Sequence, residues 1–193
     1  MTRGRRPGQS GTREELLRVA RRQFAEKGFD QTSLRAIARD AGVDAALVTH
    51  FFGSKEGLFR ATIEWPVDPD DLARRIIGSG PRGMSRRLTR AFLELWEDPP
   101  TRTPLLAVIR RAATQEESAR LVREFLHERV YRQLAVALGG GEDAALRIDF
   151  AMSQLIGLAV LRHVLRIEPI ASLPLDEVVE QLTPVVTRHL RAR

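Results

Sequence analysis

Residues 33–55, SLRAIARDAGVDAALVTHFFGSK, constrain this chain more than any other stretch. Two short amphipathic segments meet at Gly42, and a third helix start, Ser54-Lys55, follows at once. Apolar residues recur at helical spacing, with Leu34, Ile37, Ala38 and Ala41 in the first segment and Val43 and Val48 beyond the glycine. Thr32 or Ser33, then Asp44, then Ser54 stand where a side-chain oxygen caps a helix N-terminus. Helices that cross at a tight corner need a small residue at the contact and a residue tolerating positive φ at the turn. Ala38 and Gly42 supply both.

The rest of the chain reads as helix too. Thr12 with Glu15 three residues on has the form of a capping box, and Leu16, Leu17, Ala20 and Phe24 follow as an apolar stripe that ends at Gly28. Helices are predicted over 54–63, 68–77, 84–97, 104–113, 116–138, 142–167 and 174–190, with Pro66 interrupting the first and Pro184 kinking or splitting the last. No alternating strand pattern of useful length occurs. The fold class is all-α: an N-terminal three-helix helix-turn-helix domain, then a C-terminal helical domain. The expected division is a flexible basic arm at 1–11, a domain at 12–60 with the helix-turn-helix at 33–52, and a regulatory and dimerisation domain at 61–193.

Charge adds direction. The net charge is +6, and residues 1–60 carry 12 Lys+Arg against 7 Asp+Glu, while the remainder carries 19 against 18. An excess confined to one third of the chain is the footprint of a polyanion binder, although a solvated basic surface has the same count. With no cysteine there is neither disulfide nor thiolate metal site. The longest apolar run, Leu155 to Leu161, is too short to span a bilayer, and no signal peptide is read. The expectation is a cytoplasmic protein with no membrane partner.

A helix-turn-helix in a basic region points to double-stranded DNA, with the helix after Gly42 entering the major groove. A plain corner between two core helices has the same spacing, and the local basic bias weighs against it. The outward face of that helix carries Asp44, Ala45, Ala46, Thr49 and His50, with Phe51 at its end. Small residues let the backbone approach the groove, while Thr49 and His50 offer donors to phosphates or base edges. Thr32, Ser33 and Ser54 at helix starts, with Arg35 and Lys55, complete the candidate set. Arg5 and Arg6 in the arm can enter a narrow minor groove, or belong to a tail that touches nothing specific.

Residues 12–60 resemble the DNA-binding domain of the TetR-type repressor family. The resemblance rests on Phe24-Ala25-Glu26-Lys27-Gly28-Phe29, Thr32-Ser33, Ile37-Ala38, Ala41-Gly42-Val43 and the run His50-Phe51-Phe52-Gly53-Ser54-Lys55-Glu56-Gly57-Leu58-Phe59. Arg166–Leu190 is similar to C-terminal domains of actinobacterial members. Thr49 and Phe51 depart from the family, which usually has tyrosine at both positions, so a shorter side chain stands at a usual phosphate contact.

The resemblance implies a ligand-responsive repressor that binds a palindromic operator as a homodimer and is released by a small-molecule inducer in the C-terminal domain. It implies a dimer interface on the last two long helices, at Leu155, Leu158, Leu161, Leu165, Val178, Leu182 and Val186. It places an inducer pocket among the middle helices, with Phe92, Trp96, Leu106, Ile109, Arg110, Phe125 and Met152 as lining, or as plain core. No cofactor and no metal are expected. An enzyme is the rival for a helical bundle with a cavity, and Glu124-x-x-His127 has the spacing of a carboxylate-bridged di-iron site. Such sites need two such pairs and further glutamates, and one pair is present. No catalytic residues are expected, and Gly139-Gly140-Gly141 lacks the Lys-Ser/Thr that a phosphate loop requires.

Overall fold

The computed structural model describes residues 9–78, 80–141 and 143–191, and among them every regular element is helical. The chain divides into two compact units. The first joins the N-terminal 65 residues to 107–125, and the second comprises 66–106 and 126–193. Residues 107–125, placed with the second domain by sequence, thus pack with the first four helices.

In the first unit, α1 (Gln9–Gln31) starts earlier than expected and takes Thr12 inside it. Glu15 pairs with Arg18 at 2.8 Å rather than reaching back to Thr12. Gly28 breaks the helical backbone at φ 82°, as its position suggested. The three caps that bracket the motif form as read. Ser33 Oγ accepts from Ala36 N at 3.2 Å and starts α2 (Leu34–Asp40). Asp44 Oδ1 accepts from Ala46 N at 2.7 Å and starts α3 (Ala45–Phe52). Ser54 Oγ accepts from Gly57 N at 3.0 Å and starts α4 (Lys55–Ile63).

Aromatic rings hold this unit together. Phe24 and Phe29 lie 4.7 and 5.1 Å from Phe59, ring centre to ring centre. Phe125, from the distant segment, lies 6.0 Å from Phe59 and 5.0 Å from Trp65. Phe24, Phe59 and Phe125 are fully buried, and truncating one such ring to alanine costs about 3–5 kcal/mol. Ile37, Ala38 and Val48 of the helix-turn-helix are buried as well.

In the second unit, α5 (Pro69–Ile77) and α6 (Met84–Glu97) precede α7 (Pro99–Thr114), which crosses the boundary between units. α7 starts at Pro99 rather than Pro104, because a first turn needs no amide donors and so accepts proline. The helix predicted over 116–138 is α8 (Glu116–Leu126), a wide turn at His127–Tyr131, and α9 (Arg132–Ala137). The one predicted over 142–167 is α10 (Ala144–Ala159) followed by a second wide turn, in which Leu165 N reaches Val160 O at 2.9 Å. α11 (Leu175–Leu190) runs unsplit through Pro184. Proline frees the carbonyl four residues earlier, and here both Glu180 and Pro184 are exposed, so that carbonyl is open to solvent.

α11 packs on α6 and α10, with Leu93, Val178 and Val179 at the centre. Arg162 is buried and donates to Glu97 at 2.7 Å and to the carbonyl of Ile170. The stretch Ala144–Val164 is long and apolar enough to cross a membrane by length and composition, with a third of it buried. Counting uninterrupted apolar residues missed this, because Arg147, Asp149, Ser153, Gln154 and Arg162 break the stretch.

Candidate nucleic-acid interface

α3 carries one face in and one face out. Val48 is fully buried, while Asp44, Ala46, Thr49 and His50 are exposed, and Ala45 and Phe51 are half-buried. Residues 46, 49 and 50 are helical neighbours, so they form a single small, polar surface. The hydroxyl of Thr49 contacts Ala45 O at 3.4 Å, within its own helix. The ring of His50 sits 5.7 Å from Phe51.

The flanking residues divide by what they already hold. Lys55 donates to Asp30 O at 3.3 Å and lies 4.3 Å over the Phe29 ring, which ties the first turn of α4 to the end of α1. An ammonium has three donors, so Lys55 keeps capacity for a phosphate. Ser33 and Ser54 accept amide protons as caps, and their own hydroxyl protons stay available. Arg35 is exposed. Arg5 and Arg6 lie outside the described residues.

Thr32 leaves the candidate set. Its side chain is 2% exposed, and its hydroxyl bonds Gly28 O at 2.7 Å and Gln23 O at 3.2 Å. It latches the chain where α1 breaks and has no face toward a ligand. Sequence reasoning missed Arg13, whose guanidinium sits 5.4 Å over the Phe52 ring at the end of α3. Its signal was a basic residue on the polar side of α1.

A second cluster holds the C-terminal end of α4. Arg21 donates to Thr62 O at 2.9 Å, Arg111 donates to Ile63 O at 3.2 Å, and Glu64 pairs with both arginines at 3.5 and 3.1 Å. Half-exposed ion pairs of this kind contribute about 0–1 kcal/mol each, but two of these contacts also satisfy carbonyls that a helix end leaves open. Glu124 accepts the amide proton of Phe29 directly after the Gly28 break, and Arg120 donates to Ala25 O. The His127 of the Glu124-x-x-His127 pair is exposed, and among the described residues no group of three metal-ligating side chains forms.

The residues expected to line an inducer pocket come from both units. Phe92, Trp96, Leu106 and Met152 belong to the second unit, while Ile109, Arg110 and Phe125 belong to the first. Ile109 and Arg110 are exposed, and Phe125 fills the aromatic core. The expected interface residues also divide. Leu155, Val178 and Val186 are interior, Leu158 and Leu182 half-buried, and Leu161 and Leu165 exposed. The apolar side chains that α10 and its wide turn turn outward are Leu146, Phe150, Ile156, Leu161, Val164 and Leu165.

An all-helical chain that presents a capped recognition helix in a helix-turn-helix is a DNA-binding protein of the transcription-regulator class. Residues 16–62 match the family model described as bacterial regulatory proteins, tetR family, and residues 83–190 match that of the tetracyclin repressor-like C-terminal domain. The chain belongs to the TetR family of bacterial transcriptional regulators. It is 33% identical over 164 residues to the HTH-type transcriptional regulator BetI of Agrobacterium fabrum, covering 82% of this chain and 79% of that one. It is 38% identical over 97 residues to the regulatory protein RaaS of Mycobacterium tuberculosis, covering 50% and 42%. A TetR-family regulator from Streptomyces coelicolor is 40% identical with coverage of 97% and 98% and a TM-score of 0.45, and GusR of Salmonella enterica shares the fold at 18% identity and a TM-score of 0.50, covering 98% of this chain and all of that one.

Proposed function

We propose that this chain is a non-enzymatic, ligand-responsive repressor that binds a palindromic operator as a homodimer. The observation that carries the reading is the open face of α10. On α10 Leu146 is 57% and Phe150 50% exposed, and Leu165, just past the wide turn that follows, is 57% exposed, so one chain leaves this apolar surface uncovered. A second copy covers the same surface by two-fold symmetry. Two-fold symmetry then puts two copies of α3 into successive major grooves, about 34–36 Å apart, and makes the operator a palindrome.

Release follows from linkage. A small molecule that binds better to a form with the wrong spacing between recognition helices lowers operator affinity by its differential affinity for the two forms. The clamp on the end of α4 by Arg21 and Arg111 supports such coupling, since it ties α4 rigidly to α1 and α7. The test is a gel shift with the DNA upstream of the chain's own gene, alongside equilibrium sedimentation. A shift that survives excess nonspecific DNA, from a species of twice the chain mass, is expected. A monomer at micromolar concentration, or a shift erased by competitor, overturns the reading.

A further inference from the structure

The second unit holds a cavity of about 650 Å³ where three elements end: the turn into α6, the end of α9 with Gly139, and the last turns of α11. Four arginines line it, Arg82, Arg86, Arg147 and Arg191, and none of its lining residues is acidic. Arg147 is held in the wall: it donates to the Leu190 carbonyl at 3.1 Å, and its Nε pairs with the Asp143 carboxylate at 3.3 Å. Asp176 lies close enough to Arg86 to feel its charge. Arg82 and Arg191 are exposed and make no side-chain hydrogen bond or ion pair with a described residue.

Backbone donors converge on the same place. α6 begins at Gly83 with no side-chain cap and no acidic residue in its first turn. Met84 N bonds Pro81 O and Arg87 N bonds Gly83 O, which leaves the amides of Ser85 and Arg86 for an acceptor from outside. The positive end of the helix dipole adds to the arginine field. The floor is apolar: Met84 and Leu190 are buried, and Leu138 lies beside them. A volume of this size, apolar below and cationic at the rim, lies in the range of small-molecule sites.

We propose that this cavity binds a small amphipathic anion, a carboxylate on a short apolar chain. Its headgroup is held by Arg82, Arg86 and Arg191, whose planar forks suit a carboxylate, and its chain lies over Met84, Leu138 and Leu190. The site stands apart from the DNA-binding reading. A failed operator assay leaves it intact, and a failed binding assay leaves the operator reading intact.

Isothermal titration calorimetry of the full chain at low salt tests it with decanoate, decanol and acetate. Decanoate is expected to bind one per chain, with decanol and acetate each weaker by about tenfold or more. Replacing Arg82, Arg86 and Arg191 together by alanine weakens decanoate by at least about tenfold and leaves the helical circular dichroism unchanged. Should that triple variant lose helicity, the single Arg82→Glu exchange at the exposed rim carries the same expectation. Equal affinity for decanol and decanoate, or decanoate binding that survives these arginine exchanges, overturns the proposal.

Discussion

Gly57 offers a test in which two physical accounts differ in sign. It is the third residue of α4, and its amide proton goes to the Ser54 cap. A Cβ built there falls far inside contact with the carbonyl oxygen of Phe52 and 3.3 Å from its carbon. Carbon–oxygen contacts settle near 3.3–3.6 Å, so in Gly57→Ala the end of α3 must retreat by roughly 1 Å or more. Strain of this kind costs about 1–3 kcal/mol. The retreat also disturbs the bond from Ser54 N to Phe52 O, 2.8 Å long, which is worth about 0.5–1.5 kcal/mol. Helix propensity acts the other way, since alanine gains about 1 kcal/mol over glycine inside a helix. The net expectation is a loss of about 1–3 kcal/mol, read as a lower urea midpoint at unchanged slope. Because the displaced carbonyl ends the recognition helix, operator affinity of the folded variant falls by about tenfold, while nonspecific binding falls less. Gly53→Ala is the control: it strains a φ of 74° but meets nothing within 4 Å, so it lowers stability without moving α3. A Gly57→Ala protein with an unchanged or raised urea midpoint and full operator affinity would refute the steric argument and leave propensity in charge.

Leu146→Glu with Leu165→Glu, both on exposed positions, shifts equilibrium sedimentation to the monomer and changes the far-ultraviolet spectrum little; a persistent dimer moves the interface elsewhere. Thr32→Val lowers stability by about 1–2 kcal/mol in chemical denaturation but leaves operator affinity intact once folded, whereas a Thr32 that met phosphate would lose affinity. His163 has a side chain 6% exposed; burial lowers its pKa below the usual imidazole value of 6.5, Arg162 and Arg102 push the same way, and Glu97 opposes them. Its neutral form is favoured in the fold, so its contribution is full above 6.5 and is lost as pH falls toward the lowered value. His163→Gln therefore flattens the decline of the urea midpoint between about pH 7 and 5, and an unchanged slope places that decline on other groups.

The caps at Ser33, Asp44 and Ser54 were legible because each is a local bargain between one side-chain oxygen and amides two or three residues on. Thr12 and Glu15 have the same spacing, yet a helix surface serves Glu15 equally well through Arg18, so the pattern alone did not fix the start of α1. The outward face of α10 was misjudged for a related reason. Leu155 and Leu161 are both apolar, and only packing against α6 and α11 decides that the first turns in and the second out. The wide turns at 127–131 and 160–164 leave hydrophobic periodicity nearly unchanged and were invisible to it. Thr32 carried the chemistry of a phosphate ligand, but its hydroxyl was committed to Gly28 and Gln23. Arg111, Arg120 and Glu124 meet partners some 50 to 95 positions away, which no local pattern reports.

Phe125 completes the ring cluster of Phe24, Phe29 and Phe59, although it stands sixty residues beyond the end of the first segment. On the ribosome, at about 5–20 residues per second, the N-terminal helices therefore wait roughly 3–12 seconds for the piece that seals them. During that interval the Phe59 ring has only part of its cover, and the nascent recognition helix hangs on an unfinished core. A fragment cut after Trp65 makes that waiting state permanent.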